Sequence, residues 1–184
     1  DCMLEALSLF QEYKGELEDK IVEDENKVDK YEDALGTYLV KLGQKDMSQK
    51  DSRDLSVILH CIGDFERISD HGVNIMESAK ELHDKDLKFS DKALAELAVI
   101  SRAVEDIVKL SYQVFEERDY KLAKKVEPLE EIIDELNQEL KSRHVNRLRE
   151  GKCTIEQGFI LSDVLTSLER ISDHCSNIAV CISQ

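Results

Sequence analysis

The sequence predicts an all-α protein made of two similar three-helix bundles packed side by side. Three observations carry that expectation. The 184 residues include only seven glycines and one proline, too few breaks for a many-stranded sheet, and Glu, Asp, Lys and Leu are abundant. Apolar residues recur at helical spacing between recognisable stop signals. The chain also repeats itself: FERISDHGVNI at 65–75 returns as LERISDHCSNI at 168–178.

Taken in order, the first helix runs from the start of the chain to about Tyr13, where Lys14-Gly15 interrupts it, and the second from about Glu16 to Gly43. Ser48-x-x-Asp51 is a capping box that opens a third helix reaching about Leu82. Ser90, followed by Asp91, caps a fourth that ends near Arg118. Asp119 is the N-cap of a fifth that stops near Gly151, and Thr154-x-x-Gln157 is a second capping box opening the sixth. Pro128 falls inside the fifth helix, so a kink or a looser turn is expected there. The connector from His83 to Phe89 separates a first bundle, residues 1–84, from a second, residues 90–184.

The shared core of the repeat is E-R-I-S-D-H-x-x-N-I at an offset of 103 positions. A weaker echo lies upstream, where Phe10, Leu17, Ile21, Glu25, Val28 and Asp29 align with Phe115, Leu122, Val126, Glu130, Ile133 and Asp134 at an offset of 105. Three helices per copy imply a duplication. On a helical wheel, Ile58, Ile62, Phe65, Ser69, Met76 and Ala79 form the arc that should face the core, with Glu66, Asp70 and Asn74 as a polar stripe along its edge. Val57, Ile68, Ile75 and Leu82 form a second apolar stripe, and Ile160, Ile171, Ile178 and Ile182 do the same on the sixth helix. Helices apolar on two sides are central, so the third and sixth should meet between the bundles; the alternative is that one stripe is a surface for homo-oligomer formation.

Each half carries two E-x-x-x-D pairs on successive helices: Glu25/Asp29 and Glu66/Asp70, then Glu130/Asp134 and Glu169/Asp173. Residues four apart share a helix face, so neighbouring antiparallel helices can bring four carboxylates together. Such a cluster repels itself unless neutralised, and its hard oxygen donors suit di- or trivalent cations. A chain this acidic contains about eight such pairs by chance, most of them solvated. Their recurrence at matching places in both copies favours two metal sites.

The remaining polar residues of the motif have plainer readings. Arg67 and Arg170 lie three residues before their motif aspartates and are expected to pair with them. Asn74 and Asn177 are weak ligands or hold a bound water, and His71 and His174 point away from the carboxylates, as neighbours of the ligands, caps or exposed rings. Asp106 and its counterpart Asp1 are candidate contributors from a third helix in each bundle.

Composition limits partners and setting. With 40 acidic against 25 basic residues the net charge is −15, which opposes binding to nucleic acid or anionic lipid. No stretch approaches the roughly 20 apolar residues of a membrane span, so no direct membrane insertion of this chain is expected. Cys2, Cys61, Cys153, Cys175 and Cys181 form no CxxC pair and sit in apolar helical patterns, which points to a reducing cytoplasm and buried thiols. A ferritin-like metalloenzyme would need Glu-x-x-His, and the residues three before each histidine are Val57, Lys80, Lys141, Ile68 and Ile171, none of them acidic. No nucleophile constellation or phosphate loop is present either, so no catalysis is expected.

At these residues the sequence resembles the PhoU family of phosphate-uptake regulators, and more narrowly the PhoU-like region at the C-terminal end of bacterial sodium/phosphate cotransporters. The resemblance covers essentially the full chain. It implies two three-helix bundles whose E/D-x-x-x-D motifs hold multinuclear clusters of iron, zinc or another metal, using Glu25, Asp29, Glu66 and Asp70 in one and Glu130, Asp134, Glu169 and Asp173 in the other. It also implies a role restraining phosphate uptake through a phosphate transporter or a sensor kinase, at the cytoplasmic face of the membrane. Around Pro128-Leu129, where the first half has Glu23-Asp24, the copies diverge, so nuclearity is expected to differ. A start at Asp1 fits a domain cut from a longer membrane polypeptide. The other reading of the residues is a metal-independent helical scaffold.

Overall fold

A computed structural model describes residues 2–183. The helices are α1 (Cys2–Ser8), α2 (Gly15–Gly43), α3 (Gln49–Asp84), α4 (Asp91–Glu117), the single turn α5 (Tyr120–Ala123), α6 (Val126–Arg149) and α7 (Ile155–Ser183). No strand occurs among the described residues. The caps fall where the sequence places them. Ser48 Oγ accepts from the Asp51 N–H at 3.1 Å and Ser90 Oγ from the Ala93 N–H at 3.2 Å. The Thr154 box closes both ways, with Gln157 N–H donating to Thr154 Oγ1 at 3.1 Å and Thr154 N–H to Gln157 Oε1 at 2.8 Å.

Two boundaries differ from the expectation. The first helix ends at Ser8 instead of Tyr13, passing into i→i+3 turns from Leu9 to Gln11. Asp119 caps only α5, and the long helix restarts at Val126. Pro128 therefore sits in the first turn of α6, where its missing N–H has no intrahelical acceptor to lose, and the break lies before it at Lys124-Lys125.

Helices α1, α2 and α3 pack as one bundle and α4, α6 and α7 as the other, with α3 against α7 the most extensive contact between any two elements. The stripes explain the seam: Ile75, Ile160, Ile171 and Ile178 are no more than 1% exposed. Gly72 lets α1 lie close on α3, since a Cβ there would approach Cys2 Cβ at 3.3 Å. Equivalent positions of the repeat differ in burial. In the second bundle, Leu161, Leu165 and Leu168 are buried. Their repeat partners Ile58, Ile62 and Phe65, expected in the core, are only half-buried. Among the thiols, Cys61 and Cys175 are buried as expected, but Cys153 lies in the turn between α6 and α7.

Candidate functional site

The E-x-x-x-D pairs of neighbouring helices face one another. In the first bundle, burial raises the Glu25 carboxyl first, and then Asp70 of the facing helix and Asp29 of its own. Glu66 is pushed up to about 7 by burial and by Asp70 one turn on, with Glu32 of α2 adding to it and Arg67 opposing weakly. Repulsion between acids on α2 and α3 is the signature of a shared face.

In the second bundle burial again leads. Glu130 is raised by burial, Asp134 and Asp173, and Asp134 by burial, Glu169 and Asp173. Two residues not singled out in the sequence then intervene. Asn137 Nδ2 donates to Glu169 Oε2 at 3.0 Å and to the Leu165 carbonyl at 2.8 Å, and Lys141 Nζ sits 3.1 Å from the same Glu169 oxygen. The first bundle has Glu32 and Gly36 at those places in the repeat. Asp134 Oδ1 is buried with no hydrogen-bond partner, an acceptor without a donor or cation.

The carboxylates share two faces without closing on a point. Among the described residues, no three His, Cys, Asp or Glu side chains are grouped so as to hold a metal ion. The chemistry of the donors fits a cation, and the buried, unpartnered Asp134 oxygen fits one too. Ligation would require these side chains to turn toward one another.

The neighbours divide. Arg170 pairs with Asp173 at 3.1 Å as expected, whereas Arg67 makes no ion pair with Asp70. Asn74 contacts His71 Nδ1 at 3.3 Å, and Asn177 reaches Asp64 at 3.5 Å, so neither bonds to a motif carboxylate. His71 and His174 stack on each other across the α3–α7 seam, ring centroids 5.8 Å apart, and His174 Nδ1 meets the buried Asp64 at 2.9 Å. Asp64 was invisible to the repeat because its counterpart is Ser167. Asp106 is exposed beside Lys109. Asp1 lies outside the described residues.

Two stretches, residues 1–79 and 97–182, match the model of the family described as the PhoU domain. The chain belongs to that family. Among PhoU relatives, the phosphate-specific transport system accessory protein PhoU homolog 1 of Thermotoga maritima is 30% identical over 129 residues, 70% of this chain and 55% of that protein. The PhoU homolog of Deinococcus radiodurans is 27% identical over 71% of this chain and 60% of its own length. The match thus spans little more than half of these two proteins. The homolog of Clostridium acetobutylicum is 26% identical over 97% of this chain and 79% of its own. The fold is that of the PhoU crystal structure from Pseudomonas aeruginosa, at a TM-score of 0.90 and 22% identity, covering 98% of this chain and 86% of that one.

Proposed function

We propose that this PhoU-family chain is a non-catalytic regulatory domain of phosphate uptake whose two halves, 1–84 and 90–184, each bind metal through their paired E-x-x-x-D motifs. The observation that carries the reading is that the acids face one another across helices: after burial, Asp70 of α3 helps to raise the Glu25 carboxyl, and Asp173 of α7 those of Glu130 and Asp134. Glu25, Asp29, Glu66 and Asp70 would hold one cluster and Glu130, Asp134, Glu169 and Asp173 the other. A hard or borderline cation such as iron or zinc would supply the missing positive charge. The chain's own residues tie α2 to α3 and α6 to α7 around that charge. The partner is a phosphate transport protein, either separate or a membrane domain of the same polypeptide, or a phosphate sensor kinase, met at the cytoplasmic face of the membrane. No helix among the described residues is long and apolar enough to cross a membrane.

Elemental analysis of the purified chain and melting with added iron, zinc or manganese test the first part. Bound metal and a raised melting temperature are expected. A metal-free protein indifferent to all three overturns it.

A second reading, the metal-independent scaffold, draws on Lys141, which already neutralises Glu169 without a metal. It requires that all eight motif carboxylates can become Gln or Asn with metal content, stability and transporter binding unchanged.

A further inference from the structure

We infer that the second bundle carries a binding cavity for a small tetrahedral oxyanion, set between the start of α4 and the α6–α7 turn. The site is separate from the carboxylate clusters and does not depend on their binding metal. Its cavity has a volume of about 140 Å³, and its wall includes Lys88, Ser90, His144, Arg147, Lys152 and Gln157. In a chain with 40 acidic residues, none of those lining it is acidic. The space would take about four or five waters, or one oxyanion with a bridging water.

Arg147 is the decisive residue. It is only 9% exposed, its Nη1 donates to Glu96 Oε2 at 2.6 Å, and its Nη2 finds no acceptor. A buried guanidinium N–H left without an acceptor is costly, and its planar fork matches the oxygens of phosphate or sulfate. Glu96 also faces Arg143 at 3.5 Å, and Arg143 pairs with Glu139 at 2.7 Å, so the two arginines meet two carboxylates and, among the described residues, the unpaired cation of the wall is Lys88. Lys152 pairs with Glu150 at 2.6 Å, and Lys88 has no carboxylate within ion-pair distance among the described residues. Ser90 is the N-cap of α4 and Gln157 lies in the first turn of α7, and the dipoles of both helices add to the preference for an anion.

The local sequence makes the room. Gly158 has no Cβ; one would meet His144 Nε2 at 2.5 Å, so its absence lets the imidazole lie against α7. Burial, and then Arg147, hold His144 below the usual histidine range, which keeps the ring neutral at pH 7. Gln157 Nε2 donates to the Lys88 carbonyl at 2.8 Å and ties the α3–α4 connector to α7. The first bundle has Leu39, Leu42 and Met47 where the repeat puts His144, Arg147 and Lys152, so only one half has this site.

Cys153 lines the cavity and serves as the reporter. The full chain is alkylated with iodoacetamide, each thiol being followed by mass spectrometry, in inorganic phosphate, in sulfate, or in chloride of equal ionic strength. At about five times its Kd an oxyanion should slow Cys153 about sixfold by mass action and leave Cys2 and Cys181 unaffected. A further arm with a phosphate monoester separates sources: protection by free phosphate alone marks a free anion, and protection by the monoester as well marks a phosphorylated group, both within the inference. The double variant Lys88→Gln/Lys152→Gln changes exposed side chains, leaves the Arg147–Glu96 pair intact, and should weaken protection about tenfold or more. Phosphate and sulfate protecting no better than chloride would overturn the inference. So would protection undiminished in the double variant.

Discussion

The two carboxylate clusters occupy equivalent places in the repeat but differ in how their charge is met. In the first, Glu32 stands on the same stretch of α2 as Glu25 and Asp29 and adds to the repulsion on Glu66. In the second, Asn137 replaces that fifth acid and donates to Glu169, while Lys141 replaces Gly36 and pairs with it. The donors were retained through the duplication and the compensation was not. The first cluster therefore depends more on charge from outside, and the second is partly self-neutralised.

The largest difference expected between the halves concerns burial, not charge. Leu165→Ala, fully buried, should cost about 3 kcal/mol in urea denaturation, and the equivalent Ile62→Ala, at a half-buried position, about half as much. Equal losses would show that Ile62 is packed as tightly as Leu165. Next comes metal: Asp70→Asn should weaken binding at the first cluster about tenfold or more, and Lys141→Gln should tighten it at the second by about tenfold, read by competition titration. Unchanged affinity in Lys141→Gln would mean that the lysine leaves whenever metal arrives.

Smaller effects probe the metal-free protein. Gly36→Lys copies Lys141 into the first half, where a Cβ meets only Glu32 Oε1 at 3.9 Å. Relief of repulsion and a better helix former should together stabilise by about 1 kcal/mol. Last is pH. Glu66 has its folded pKa raised to about 7 from 4.5, so the folded state holds the extra proton. The stability this provides is complete below about pH 4.5 and is lost as pH rises through about 7. Glu66→Gln should remove that slope and raise the melting temperature at pH 8 by about 2 °C.

Much of this was legible because local signals and the repeat agreed. Ser48, Ser90, Asp119 and Thr154 each cap a helix by bonding to their own neighbours, and the ERISDH copies placed α3 against α7 by their double apolar stripes. Contacts between residues distant in sequence were not legible. Glu96 and Arg147 lie 51 positions apart, and Asp64 and His174 lie 110 apart. Neither pair follows the period that exposed the carboxylates. The half-burial of Ile62 was hidden for another reason: a wheel shows which face is apolar, not how closely another helix packs on it.

The back-to-back seam of α3 and α7 also has a meaning for assembly. Each repeated helix presents an apolar face that the other half covers, so the molecule behaves as a dimer written in one chain. Residues 85–90 keep the second half at an effective concentration of the order of millimolar, whatever the cellular abundance of the protein. Dilution therefore does not separate the halves, and the pairing of unlike copies, one holding Lys141 and the other Gly36, is guaranteed by the peptide bond.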